Sequence, residues 1–180
     1  MTVAPEPTLR WLTSPGQVDD DLREALTTCW RDVANSGGAV GFAQQLPVAA
    51  AVVRPVLEAT VEAPGSRLLV AEAGGVLAGW LVLTVNASPV LAHWGRVTRV
   101  QTAVAARGTG VARVLLTELH RAARDDVGLE QLRLEVRGGA GLEAFYERFG
   151  YRVTGRWPGA LQITPEDRRD EVLMQLDLHA

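Results

Sequence analysis

The amino-acid sequence predicts a mixed α/β fold in which helices flank a mostly antiparallel central sheet of about seven strands. Three observations predict it. Helical and alternating hydrophobic patterns interleave along the chain, and three strand-like segments follow one another in its middle. The chain has 180 residues, 47% of them hydrophobic, which suits one unit with a sizeable core. We therefore expect residues 1–180 to form a single domain.

The N-terminal third predicts a strand, two helices and a loop between them. Thr8–Leu12 alternates and ends at a Ser-Pro-Gly turn, which indicates a short strand. Apolar residues then recur at helical spacing from Asp19 to Asn35, behind acidic residues suited to a helix N-terminus. Ser36–Phe42 carries three glycines and should form a loop. A second helix, Gln45–Glu62, should be kinked or split by Pro55.

The middle of the chain changes to a period of two, which predicts three consecutive strands. Arg67–Ala73 and Val76–Val85 are joined by two glycines, the signal of a tight hairpin. Val90–Val104 supplies the next strand and ends just before a glycine-rich turn. Three hairpin-like strands in a row are the reason for expecting a mostly antiparallel sheet.

The last third predicts two helices and three strands. Its first helix is amphipathic, and its second ends at Gly150, a suitable C-cap. The predicted elements are, in order, the helix Gly110–Arg124, the strand Leu129–Val136, the helix Gly141–Phe149, the strand Tyr151–Gly155, a loop Trp157–Arg169 and the strand Glu171–Leu178.

Composition and charge exclude several function classes. The formal net charge is -3, whereas a protein that coats nucleic acid needs a strongly basic face, so we expect no nucleic-acid partner. The longest apolar run, Val76–Val85, is about half the length of a membrane-spanning helix, so we expect no membrane association. All 18 basic residues are arginine. The lack of lysine excludes a Walker-type phosphate loop and Schiff-base chemistry.

Cysteine and histidine usage argues against a metal site. The single cysteine, Cys29, cannot form an internal disulfide, and the three histidines are far apart in sequence. Met1–Arg10 lacks the basic cluster and apolar core of a signal peptide. We therefore expect no metal and a location in the reducing cytoplasm.

One turn combines the features of an anion-binding site. Its residues are Arg107, Gly108, Thr109, Gly110, Val111 and Ala112, between a predicted strand and the amphipathic helix. Glycines allow a ligand to approach the backbone closely, and the first amides of a helix are unpaired and carry partial positive charge. A pyrophosphate would fit there, with Arg107 as an additional cation. A plain glycine turn is the alternative, and the dinucleotide fingerprint fails because Arg113 replaces its third glycine.

This turn resembles the R/Q-x-x-G-x-G/A loop of the GCN5-related N-acetyltransferase (GNAT) family. About 35 residues later, Leu142–Tyr151 is similar to the family's A-x-x-[LF]-Y-x-x-x-G-[FY] segment. The resemblance covers Arg67–Leu178 and implies the acyl-CoA N-acyltransferase fold. It also implies that acetyl-coenzyme A (acetyl-CoA) lies with its pyrophosphate on the amides of Arg107–Ala112. Backbone groups of Thr102, Ala103 and Val104 would then hold its pantetheine arm.

The N-terminal third is similar to the tabtoxin-resistance type of acetyltransferase within this family. Ser36–Phe42 resembles a Gly-Ala/Val-Gly-Phe segment of that group, and Glu143–Tyr146 matches as well. One position departs from the family pattern. Gly139 stands where many members have Asn, seven residues before the tyrosine, and this removes one side-chain contact to the cofactor arm.

Acetyl transfer to an amine needs a base for the amine and a donor for the leaving thiolate. The resemblance implies that the hydroxyl of Tyr146 lies near the thioester sulfur and protonates it, although this residue could simply pack beside Phe145. Glu135 is the first candidate for the base, because it lies near the end of the strand facing the cofactor loop and the resistance enzymes carry an acid there. It could equally be a solvated residue paired with Arg133 or Arg137. A water chain is another candidate for the base.

Two histidines and four residues of a possible acceptor pocket also have to be assigned roles. His93 and His120 are expected to be surface residues rather than bases. The acceptor pocket would include Gly41, Phe42, Trp80 and Trp157, although each of these could instead be a packing residue.

The sequence leaves three functions open. The first is an acetyl-CoA-dependent N-acetyltransferase that acts by direct transfer on a small-molecule amine. A non-catalytic acyl-CoA-binding module and an acetyltransferase of protein amines are the alternatives. Exposed edge strands could also support a homodimer.

Overall fold

A computed structural model describes residues 7–179 as a seven-stranded sheet with helices on both faces. The strands are β1 (Thr8–Leu12), β2 (Ser66–Ala73), β3 (Val76–Val85), β4 (Trp94–Thr102), β5 (Gln131–Arg137), β6 (Arg152–Gln162) and β7 (Arg168–Asp177). The helices are α1 (Asp20–Asn35), α2 (Ala50–Glu62), α3 (Val111–Asp125) and α4 (Leu142–Glu147). The expectation about a signal peptide falls largely on residues 1–6, which lie outside the described residues.

The sheet is mixed, with the strand order β1-β2-β3-β4-β5-β7-β6. Only the β4–β5 pair is parallel among the strand pairs in the described part of the chain. The predicted fold class is therefore confirmed. None of the helices in residues 7–179 has the length and apolarity that a membrane crossing requires.

Alternate residues of the central strands supply two separate cores. In β3, Leu81 and Leu83 are buried against α3, whereas Trp80 and Val82 are buried on the other face against α1 and α2. The period of two in the sequence follows from this alternation, and burial on both faces explains why β2 and β3 are so apolar. The two cores fix α1 and α3 on opposite sides of β4.

Strands β4 and β5 pair over a short distance and then part. Their register joins Trp94 to Gln131 and ends where Arg96 faces Arg133. Beyond this point β4 contains a bulge, in which Arg99 adopts a left-handed φ of 58°. Because a bulge bends its strand and increases the local twist, the two strands diverge and leave an opening in the middle of the sheet.

A glycine lets α3 lie close to the sheet beside this opening. A Cβ atom on Gly79 of β3 would lie 2.7 Å from the carbonyl oxygen of Gln101 and 2.7 Å from Cγ1 of Val111. Any side chain there would push the N-terminus of α3 away from β3 and β4. Gly79 therefore helps to set the position of the turn that precedes α3.

Two element predictions are wrong in their bounds. The second helix begins at Ala50 rather than Gln45, and Pro55 does not split it. Pro55 lies early in this helix and removes only one backbone donor, so the remaining turns continue. The fourth strand starts at Trp94 rather than Val90 and ends at Thr102, because Val104–Ala106 forms a 3-10 turn.

The segment Trp157–Arg169, predicted as a loop, is mostly strand. It continues β6 to Gln162, and β7 starts at Arg168. A bulge between Trp157 and Leu161 accommodates Pro158, whose missing N–H is tolerated on an edge strand. Proline and glycine were therefore markers of a bulged hairpin rather than of a loop.

Candidate functional site

The turn before α3 forms an open cradle of backbone amides. Gly108 and Gly110 adopt left-handed φ values of 78° and 90°, and Gly110 is the N-cap of α3. The amides of the first turn of α3 have no partner within the helix and carry its partial positive charge. Next to them lies a cavity of about 560 Å³, which we call the cradle cavity. It is lined by Thr102, Ala106, Arg107, Gly108, Gly110, Val111, Ala112, Arg113, Phe145, Arg148 and Phe149.

Three arginines make the cradle cavity electropositive. Arg107, Arg113 and Arg148 all line it, and no carboxylate does. Nη2 of Arg107 donates a hydrogen bond to Oγ of Ser36 at 2.7 Å, which joins the cradle to the loop after α1. Helix amides and arginines together are a suitable environment for phosphate groups.

A second cavity fills the opening between β4 and β5. This splay cavity has a volume of about 300 Å³. Its residues from the two strands are Val97, Thr98, Arg99, Val100, Leu134, Glu135 and Val136. Tyr146 of α4 also lines it, so the splay cavity brings a phenol and a carboxylate, both predicted from the sequence, to one opening.

The ring of Tyr146 is held by two aromatic neighbours. Its centroid lies 5.0 Å from that of Phe145 and 5.5 Å from that of Tyr151. The side chain is 8% exposed, and burial raises its pKa above the ordinary value of 10. The hydroxyl therefore stays protonated at neutral pH and can donate a hydrogen bond or a proton into the splay cavity.

His120 is a partner of Tyr151 rather than a surface residue. Its Nε2 lies 3.3 Å from the Tyr151 hydroxyl, and the residue is half-buried in the C-terminal half of α3. Burial, with a smaller contribution from Arg124, lowers the pKa of His120 from 6.5 to about 4. The imidazole is thus neutral at neutral pH and lies outside the residues that line the splay cavity.

This buried histidine predicts a pH-dependent stability. Between pH 6.5 and about 4 the unfolded chain binds more protons at His120 than the folded chain does. The free energy of unfolding should therefore fall as the pH is lowered through this window. We expect His120→Gln to reduce this fall, measured as the difference in Tm between pH 7 and pH 5. The matched variant His93→Gln should retain it, and an unchanged slope in His120→Gln would contradict the assignment.

Glu135 lies where β4 and β5 separate and pairs with Arg96. The distance from Oε1 of Glu135 to Nη2 of Arg96 is 3.5 Å, and the side chains are 21% and 53% exposed. Neither of the two partners expected from the sequence forms this ion pair. The guanidinium of Arg133 instead stacks on Trp94 at 4.4 Å from the ring centroid. Because Arg96 is exposed, the pair is weak and leaves the carboxylate of Glu135 free to act on a ligand.

A third cavity, of about 670 Å³, lies outside the splay cavity, and we call it the loop cavity. The loop Ser36–Phe42, which we call the acceptor loop, contributes Gly41 and Phe42 to its lining. Gly41 also lines the splay cavity. The two cavities share Glu135 and Glu171, two carboxylates on the neighbouring strands β5 and β7. They are therefore adjacent parts of one opening, which we call the acceptor opening, and its lining carries Arg99 and Arg137 as well as the two glutamates.

The two tryptophans assigned to the acceptor pocket line none of these three cavities. Trp80 is fully buried, with its ring 5.6 Å from that of Trp30. Trp157 is 53% exposed on β6 and pairs in register with Glu171, which lines the splay and loop cavities, but it is not itself part of either lining. Trp80 thus supports the site indirectly, since Trp30 donates a hydrogen bond to the carbonyl of Val40 in the acceptor loop.

Two site residues were missed by the sequence interpretation. Arg99 lines both the splay cavity and the loop cavity, and Glu171 does so as well. The sequence marks Glu171 only as the first residue of a strand. Its position opposite Arg137 depends on the β5–β7 register, which the sequence does not show. Arg99 carried no signal, because nothing in the sequence marks a bulge in the middle of β4.

The described residues offer no metal centre and no activated thiol. Within residues 7–179, no group of three or more His, Cys, Asp or Glu residues could hold a metal ion. Cys29 is buried in α1, and burial raises the pKa of its thiol to about 11. The thiol is therefore protonated at neutral pH, and it lines neither the splay cavity nor the loop cavity.

Comparison with protein families gives a match to one domain model. The model described as an acetyltransferase (GNAT) domain matches residues 40–157. This range includes the turn before α3, the strands β4 and β5 that part at the splay cavity, and Tyr146. A comparison with curated proteins gives no match.

Solved acetyltransferase structures share the fold. A "putative phosphinothricin N-acetyltransferase" is 21% identical, with a TM-score of 0.73, over 95% of this chain and 99% of that chain. A "putative acetyltransferase" from Salmonella typhimurium, solved with its cofactor acetyl-CoA, is 21% identical, with a TM-score of 0.70, over 96% and 94% of the two chains. A ribosomal-protein-alanine N-acetyltransferase from Brucella melitensis is 23% identical, with a TM-score of 0.71, over 94% and 99%.

Proposed function

The chain belongs to the acetyltransferase (GNAT) domain family, and we propose that it transfers the acetyl group of acetyl-CoA directly to a primary amine of a small molecule. The observation that carries the proposal is the splay cavity, which has both a phenol and a carboxylate in its lining. Helix α4 joins it to the cradle cavity, because Tyr146 lines the splay cavity and the preceding residue, Phe145, lines the cradle cavity. In this proposal residues 1–180 act as one N-acetyltransferase domain.

Acetyl-CoA would bind along the cradle cavity and extend into the splay cavity. Its pyrophosphate suits the amides of Gly108–Ala112, and the three arginines of the cradle cavity suit its phosphate charge. Thr102, Ala103 and Val104 follow the bulge of β4 and would hold the pantetheine arm between cradle and splay. The thioester would then reach Tyr146.

The transfer requires two proton movements. The nitrogen of a neutral amine attacks the thioester carbonyl, so that a C–N bond forms and the C–S bond breaks. In our proposal Glu135 takes the proton of the amine, directly or through a water molecule, because an alkyl amine is mostly protonated at neutral pH. Tyr146 donates to the sulfur as the thiolate leaves. The phenol is protonated at neutral pH and can therefore act as this donor.

Direct transfer is favoured over a covalent enzyme intermediate. The only cysteine of the chain is Cys29. Its thiol is protonated at neutral pH, and it lies in the core with Trp30 and Trp80. A thiol in this state is a poor nucleophile for a thioester.

The size of the acceptor opening supports a small-molecule substrate. The splay and loop cavities have volumes of about 300 and 670 Å³, within the usual range for small-molecule sites. Nε2 of Gln44 donates a hydrogen bond to the carbonyl of Gln162 at 2.7 Å, which joins the acceptor-loop region to the end of β6. This bridge restricts an extended peptide more than a small amine. A tabtoxin-resistance type of acetyltransferase is the subtype that the acceptor loop favours.

Ligand-induced thermal unfolding tests the cofactor. Acetyl-CoA, coenzyme A, ATP and NAD are added in parallel at saturating concentration. A ligand at about 100 times its Kd adds roughly 2.7 kcal/mol to the free energy of unfolding. We expect a higher Tm with the two coenzyme A species only, followed by thiol release with an amine panel. No shift, or a shift with NAD alone, would contradict the proposed cofactor.

A substitution in the cradle should weaken cofactor binding selectively. In Gly108→Ala the new Cβ meets no protein atom within 4 Å, so it occupies open space at a residue that lines the cradle cavity. We expect an affinity for coenzyme A at least about 10-fold lower, because the pyrophosphate can no longer approach closely, and isothermal titration measures this.

The matched control for this prediction is Gly75→Ala. Gly75 lies in the β2–β3 turn with the same φ of 78° and the same open surroundings. Both substitutions should therefore cost a similar amount of backbone strain, about 1–2 kcal/mol. Only Gly108→Ala should lower the affinity, and equal affinities in the two variants would contradict a pyrophosphate site at the cradle.

Two other functions give different results in the same assays. A non-catalytic acyl-CoA-binding module would bind coenzyme A and release no thiol with any amine. An acetyltransferase of protein amines would acetylate peptides in preference to small amines.

We also propose a cytoplasmic location, which suits the single free thiol, and a homodimer through an edge strand, which sedimentation would detect.

A further inference from the structure

Arg99 is a half-buried guanidinium without a hydrogen-bond partner in the described residues. Its Nε is buried and unpaired, and it forms no ion pair within residues 7–179. The pKa of the group is lowered by burial. A buried arginine is normally paired, because desolvation of an uncompensated charge is unfavourable. The side chain therefore lacks the anionic partner that its environment calls for.

The position of Arg99 is determined by its neighbours. Its guanidinium lies 4.5 Å from the ring centroid of Trp30, which is itself fully buried. An arginine that stacks on an aromatic face keeps its N–H groups directed outward in the plane of the guanidinium. The bulge of β4 sets the backbone, with the left-handed φ of 58°. The stacking on Trp30 and the bulge of β4 together hold the guanidinium of Arg99 in place before any ligand is bound.

Arg99 lines the same two cavities as the carboxylates of Glu135 and Glu171. The acceptor opening thus presents one cation and a pair of anions that line both cavities, and Arg137 adds a second cation to the loop cavity. Carboxylates attract an ammonium group, and a guanidinium binds a carboxylate through paired hydrogen bonds. A molecule with an amine at one position and an anionic group nearby would complement both.

We propose that Arg99 binds an anionic oxygen group, such as a carboxylate, on the same small molecule that carries the reacting amine. The acceptor is therefore an amino acid or a close analogue. This inference rests on the proposed function, because it assigns the amine to the Glu135 side of the opening. Arg99 is a specificity residue in it and takes no part in proton transfer.

The test compares L-α-amino acids with their primary carboxamides, which keep the amine and lose the negative charge. The protein saturated with coenzyme A is titrated with each compound, and the shift in Tm is measured. We expect larger shifts with the acids than with the amides in the unaltered protein. In Arg99→Asn this difference should disappear, because asparagine tolerates the left-handed backbone and lacks the cation.

Turnover gives a second readout of the same preference. The ratio of kcat/KM for the acid to that for the amide should fall by about 10-fold to 100-fold in Arg99→Asn, as expected for the loss of a charged hydrogen bond. Arg99→Lys keeps the charge and should retain part of the preference. Arg67→Asn, a change to another sheet arginine outside both cavities, should leave the ratio unchanged.

The outcomes separate this inference from the proposed function. Equal Tm shifts with acids and amides, or a preference that survives in Arg99→Asn, overturns the role of Arg99. Acetyl transfer to the carboxamides in that case would leave the proposed function standing. If no amine is acetylated although coenzyme A binds, the proposed function fails, and the Tm shifts still decide whether Arg99 binds the anion.

Discussion

Tyr146→Phe is expected to lower kcat by about 100-fold to 10,000-fold, the usual contribution of a positioned proton donor. The change removes one oxygen atom and retains the ring, so the contacts with Phe145 and Tyr151 persist. The affinity for acetyl-CoA should stay within a few-fold, because the cradle cavity does not include Tyr146. Thiol release measures the turnover, and the acetyl-CoA-induced Tm shift measures binding.

Tyr151→Phe is the matched control. Tyr151 is even more buried than Tyr146, but its hydroxyl contacts His120 and the residue lies outside the lining of the splay cavity. Its loss should lower the free energy of unfolding by about 1 kcal/mol, the usual net value of a hydrogen bond, and leave kcat largely intact. Full turnover in Tyr146→Phe would mean that this residue only packs beside Phe145. A similar loss in both variants would indicate a general disturbance of the aromatic cluster.

The fold was predictable because its elements are short-range patterns. The hairpin of β2 and β3 needs only alternation and a Gly-Gly turn, and α3 needs only its apolar stripe. The β6–β7 hairpin was not predictable in the same way. Its bulge places Pro158 and Gly159 inside a strand, and this arrangement depends on pairing with β7, which starts at Arg168, rather than on any local pattern within β6.

The candidate site likewise has one part that a local motif encodes and one part that depends on strand pairing. The residues of the cradle are consecutive, so one motif contains them. The acceptor opening instead depends on the end of the β4–β5 pairing and on the conformation of Arg99, which no local pattern encodes. Trp80 illustrates the converse error. An aromatic residue near a predicted site suggested a ligand contact, whereas the alternation of β3 directs it into the core.

Glu135→Gln should lower kcat/KM at neutral pH by about 100-fold, within the range for removal of a general base. Glutamine keeps the shape of the side chain but cannot accept the proton of the amine. The effect should shrink as the pH is raised toward the pKa of the acceptor amine, because a growing fraction of the amine is then neutral without help. A pH profile of kcat/KM from pH 6 to pH 10, for the variant and the unaltered protein, measures this.

Glu171→Gln separates a base from a general loss of negative charge. Glu171 lines the same two cavities from β7, so both variants remove one charge from the acceptor opening. Loss of charge alone raises KM in each, whereas loss of the base lowers kcat in Glu135→Gln only and makes that deficit pH-dependent. Glu135→Gln also breaks the ion pair with Arg96, but an exposed pair of this kind contributes less than about 1 kcal/mol to stability. A pH-dependent deficit in Glu171→Gln, with Glu135→Gln unaffected, would transfer the role of base from β5 to β7.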